Sequence, residues 1–114
     1  MRAARAAMRG ELKARGFVVA SDSHGLRSGL YVLGENDLAR ALFEFKPSVR
    51  EACDTMYHGS WIDGLPPRVV VLPAEEAGDP ELEFLEQMRV RVVYSRAEGR
   101  GIAFEGLDAA LAGV

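Results

Sequence analysis

A chain of 114 residues, 48% hydrophobic and 27% charged, has the apolar content to bury one core and is not a disordered tail. A net charge of −3 excludes a broadly cationic surface that coats nucleic acid, though it leaves room for a local basic patch. One cysteine, Cys53, excludes an internal disulfide and a cysteine-built metal cluster. It fits a small hydrophobe packed in a helix in a reducing cytoplasm. No apolar run reaches the length of a membrane span, and the Arg-studded first residues lack a signal peptide's apolar stretch, so no membrane partner is expected.

The first element is predicted as a helix over Ala3–Arg15, rich in Ala, Arg and Leu, with Gly16 as its stop. Helical spacing puts Arg2, Arg5, Arg9 and Lys13 on one side and Ala3, Ala4, Ala7, Met8, Leu12 and Ala14 on the other. Glu11 falls within the apolar side. Two readings stay open for it: a carboxylate that binds a cation, or one that pairs with Arg15 four residues on.

Phe17–Ala20 reads as a short strand, and Ser21-Asp22-Ser23-His24-Gly25 as turn material in which Asp22 and His24 are solvated or contribute to a site. Leu30–Leu33 and Ala39–Lys46 form the next two strands, joined by the hairpin turn Gly34-Glu35-Asn36-Asp37. Strand alternation sends Phe43 and Phe45 into a core and puts Glu44 and Lys46 together on the opposite face. Of 14 basic residues only Lys13 and Lys46 are lysine, so a chain biased to Arg places a compact ammonium beside that carboxylate. An ordinary ion pair at a strand end is the plainer reading of these two residues.

Ser48 is placed to N-cap a helix whose buried stripe is Val49, Ala52, Cys53, Met56 and Tyr57, with Tyr57 and Trp61 closing the core. Arg68–Leu72, nearly all β-branched and without alternation, is a central strand covered on both faces. Asp79 and Pro80 start another helix, buried through Leu82, Leu85 and Met88. Val90–Ser95 is a strand, Ile102–Phe104 an edge strand, and Leu107–Leu111 a short helix. The sum is a single α/β domain over residues 1–114. A helical crossover from the Glu44 strand to Arg68–Leu72 makes the sheet mixed, with helices on both faces.

This order resembles the restriction-endonuclease-like superfamily, the PD-(D/E)xK nucleases, and is nearest to small Holliday-junction-resolvase-like domains. Four features carry the resemblance. They are the first helix with Glu11 and its Arg15-Gly16-Phe17 stop, the hairpin, Glu44-Phe45-Lys46 at the end of its second strand, and the helix and apolar strand that follow. The resemblance implies a three-layer sandwich around a central mixed sheet. It also implies a metal-dependent DNA endonuclease in which Glu44 and Glu11, with Asp22 from the loop, hold Mg²⁺ or Mn²⁺ while Lys46 positions or activates water. Arg2, Arg5, Arg9, Lys13 and Arg27 would then hold DNA phosphates, and family members that act on two-fold DNA are homodimers.

The pattern departs from the family at one position. The strand before Glu44 reads Ser28-Gly29-Leu30-Tyr31-Val32, where the family has an Asp. The alternative is therefore a nuclease-fold domain without catalysis that binds nucleic acid or protein.

Overall fold

The computed structural model describes residues 2–21, 29–59 and 66–114. The expectations for Asp22, His24, Arg27 and Trp61, and for the side chain of Tyr57, lie outside the described residues. The elements follow as α1 (Arg2–Ala14), β1 (Val18–Ser21), β2 (Leu30–Leu33), β3 (Ala39–Phe45), α2 (Val49–Gly59), β4 (Arg68–Pro73), α3 (Leu82–Gln87), β5 (Arg91–Glu98), β6 (Gly101–Glu105) and α4 (Leu107–Ala110). Single 3₁₀ turns over Glu35–Asp37 and Ala74–Glu76 follow β2 and β4.

The strands form one six-stranded mixed sheet in chain order, β1-β2-β3-β4-β5-β6. β1, β2 and β3 are an antiparallel meander, β3, β4 and β5 run parallel, and β6 returns antiparallel to β5. Two successive crossovers of one hand, stepping the same way across a sheet, leave their helices on the same face. Accordingly α2 and α3 share one layer and one core, with Val49, Ala52, Met56 and Leu85 on Val70 and Leu72. On the other face α1 and α4 cover Phe43, Phe45, Val69, Val71 and Val93 through Ala4, Met8, Leu12, Leu107 and Leu111. No helix among the described residues is long and apolar enough to cross a membrane.

Local chemistry explains where these elements start and stop. α1 buries the i, i+4 stripe Ala4, Met8, Leu12 and ends at Gly16, whose φ of +89° suits a residue without a Cβ. At the start of α2 the Ser48 hydroxyl accepts the Glu51 N–H at 3.2 Å. The Glu76 carboxylate accepts the Val49 N–H at 2.9 Å, so two orphan donors at a positive helix end meet oxygen. Asp79 is not the N-cap expected of it, because Glu81 holds that position and Asp79 lies in the turn before it. It accepts the Glu81 N–H at 2.8 Å, and the helix proper begins at Leu82. β5 runs to Glu98, past the expected Ser95, because β6 pairs with it out to Gly101.

Candidate functional site

β3 alternates as its sequence implies. Phe43 and Phe45 enter the α1 core, so Leu42, Glu44 and Lys46 turn to the α2 face. Glu44 is only 3% exposed and lies level with Val70 of β4. A carboxylate buried there needs a counter-charge, and Arg68, itself 8% exposed at the start of β4, supplies it. Arg68 Nε donates to Glu44 Oε1 at 2.7 Å, and Nη2 lies 2.6 Å from the same oxygen, off hydrogen-bond alignment. Glu44 Oε2 and the two Nη groups of Arg68 are left without hydrogen-bond partners among the described residues.

Lys46 is half-buried, and its backbone N–H donates to Val71 O at 3.1 Å, which continues the parallel ladder one step past β3. The expected ion pair between Glu44 and Lys46 is replaced by Glu44–Arg68: among the described residues the salt bridge of Glu44 is with Arg68. The physical reason is the length of the Arg stem. In the register Leu42 faces Arg68, so the guanidinium reaches diagonally to the next residue on the same face of β3.

Glu11 sits elsewhere. Its side chain is 45% exposed and accepts Arg15 Nε at 3.1 Å, and Arg15 also bridges to Asp108 of α4. Those two carboxylates, Asp108 first, hold the Arg15 guanidinium above its ordinary pKa. α1 covers the Phe43 face of the sheet while Glu44 lies on the other, so the two glutamates do not converge. The pairing reading of Glu11 is the one found. Among the described residues, no three His, Cys, Asp or Glu side chains come together as a metal-holding group.

The position that would complete a carboxylate pair is Gly29. Carrying the β2–β3 register one step beyond Leu30↔Phe43 sets Gly29 opposite Glu44. A Cβ there would meet Leu42 Cδ1 at 3.0 Å and the Phe43 carbonyl oxygen at 3.2 Å, so the side chain is absent and one would be admitted only as these neighbours give by a few tenths of an ångström. Glu44 and Glu11 as placed therefore do not fit a shared divalent ion, which needs several hard oxygens around one point.

On the outer side of α1, Arg2 and Lys13 are exposed and Arg5 and Arg9 half-buried. Arg9 donates to the Ser21 hydroxyl at the end of β1. A hydroxyl partner orients the guanidinium and leaves its charge in place. The residue sequence reasoning missed is Arg68. Its signal was available, because an Arg at the head of a strand covered on both faces must find a buried acceptor. No family model, curated protein or solved structure matches this chain.

Proposed function

We propose that this chain is a domain of the restriction-endonuclease-like kind that binds the nucleic-acid backbone through α1 and does not cut it. The observation that carries this reading is the division of charge across the sheet. α1 buries Ala4, Met8 and Leu12, exposes Arg2 and Lys13, and carries Arg5 and Arg9 half-buried along the flank of that stripe. The segment from Ala74 to Gln87, on the opposite face, carries six carboxylates and no cation. Phosphates are drawn to the first surface and repelled by the second. The order of strands and helices supports the family reading. The separation of Glu11 from Glu44 supports binding without catalysis.

The test is fluorescence anisotropy with labelled duplex, branched and single-stranded DNA across a salt series, beside an Arg2→Gln/Arg9→Gln/Lys13→Gln variant. Backbone binding through α1 gives a log–log salt slope of roughly −0.9 per neutralised phosphate, and the triple variant flattens it by about 3. Binding that the triple variant leaves unchanged would place the interface elsewhere. Cleavage in Mg²⁺ or Mn²⁺ that Glu44→Gln abolishes would establish the endonuclease instead.

A further inference from the structure

We infer that Arg68 fills, as a covalently attached cation, the place beside Glu44 at which the nuclease resemblance implies a divalent metal. The inference concerns the α2 face of the sheet and stands whether or not α1 binds DNA.

Three observations carry it. The first is the geometry of the pair. Glu44 Oε1 takes both the Nε contact at 2.7 Å and the Nη2 contact at 2.6 Å, so one carboxylate oxygen is already satisfied by positive charge. The second is burial: at 3% and 8% exposure neither partner has water to take the place of the other. The third is the missing second carboxylate. Gly29 opposite Glu44 carries none and leaves only a tight fit for a Cβ, and Glu11 is on the other side of the sheet.

A metal at Oε2 would have one protein oxygen and would sit against a guanidinium. Mg²⁺ and Mn²⁺ favour several oxygens and dehydrate for little less. Arginine also differs from lysine here in a way that matters. A guanidinium is a planar fork of donors that can lay two N–H groups against a carboxylate, where an ammonium is a single point charge. Glu44 in this way meets its counter-charge within the chain and does not draw it from metal in solution.

Manganese is the probe, read by electron paramagnetic resonance of the free ion and by thermal unfolding. Wild-type protein and Glu44→Gln, which keeps the shape and an acceptor oxygen, are expected to leave the same concentration of free Mn²⁺. Arg68→Met removes the counter-charge of Glu44. Its Tm is expected to fall, and millimolar Mn²⁺, offered one buried carboxylate, is expected to restore none of the loss, as in the Glu44→Gln/Arg68→Met double variant. Mn²⁺ binding to the wild type that disappears in Glu44→Gln would overturn the inference. So would an Arg68→Met protein whose Tm equals that of the wild type, since Arg68 would then not be the cation that Glu44 needs. If Arg68→Met does not fold, the comparison of wild type with Glu44→Gln decides alone.

Discussion

The Arg68 guanidinium reaches diagonally from β4 to one oxygen of Glu44 on β3, at 2.7 Å through Nε and 2.6 Å through Nη2. This contact ties two parallel strands together inside the layer that α2 covers. It also takes up the carboxylate on which a nuclease reading of the chain depends.

Removing one partner of this pair should be far worse than removing both. Arg68→Met leaves a buried carboxylate without its counter-charge and is expected to cost about 3–5 kcal/mol. Glu44→Leu/Arg68→Met, which replaces the pair with apolar side chains, is expected within about 1 kcal/mol of the parent. Urea unfolding of the two single variants and the double closes the cycle. A single substitution costing under about 1 kcal/mol would mean that water reaches the pair.

Adding a strand carboxylate opposite Glu44 should cost stability on steric grounds. In Gly29→Asp the new Cβ meets Leu42 Cδ1 at 3.0 Å and the Phe43 carbonyl oxygen at 3.2 Å, so both must give by a few tenths of an ångström. A loss of about 1–3 kcal/mol is expected. Calorimetry should show no new binding of Mg²⁺ while Arg68 is present. A variant as stable as the parent would show that β2 and β3 can part at this point.

Cys53 should be a slow thiol. Burial pushes its pKa up first, and the carboxylates of Glu81, Asp54 and Asp79 add to the shift. Its Sγ also lies 3.7 Å from the Glu81 carbonyl oxygen, as a weak donor. The thiolate is the reactive form, so alkylation by iodoacetamide should run slower than for free cysteine at pH 8 and should still be climbing at pH 9. Glu81→Gln should move the profile toward lower pH. A rate that levels off below pH 8.5 would contradict the buried, acid-lined setting.

Arg91 holds the last helix in place. Its Nη1 donates to the carbonyl of Ala110, the last residue of α4, at 2.7 Å and to that of Ala112, two residues past the helix, at 2.8 Å. Arg91→Ala is expected to cost about 1.5–3 kcal/mol. Hydrogen exchange should rise over residues 107–114 before it rises elsewhere, since α4 contributes Leu107, Ala110 and Leu111 to the α1-side core.

Most of the fold was legible because each element carries a pattern of its own. Strict alternation in β3 fixed the two faces of the sheet. The unbroken run from Arg68 to Leu72 marked a strand covered on both sides, and the i, i+4 stripe of α1 identified its buried face. The site was less legible, because pairing between strands is non-local. Nothing near Glu44 in sequence singles out a residue 24 positions away on the next parallel strand. Glu11 misleads for a related reason: helical angle alone does not show which positions the sheet covers, and Glu11 stays exposed and pairs with Arg15, which also bridges to Asp108. The tight approach to Gly29 depends on the β2–β3 register, which no local pattern encodes.

The division of charge between the two layers gives the molecule a permanent electric dipole normal to its sheet. A protein with a net charge of −3 would then be retained by a cation exchanger as well as an anion exchanger at low ionic strength, each resin holding the opposite side. Two molecules in dilute buffer would also attract end to end, basic layer to acidic layer. That attraction fades once the Debye length shrinks to about 10 Å, near 0.1 M salt.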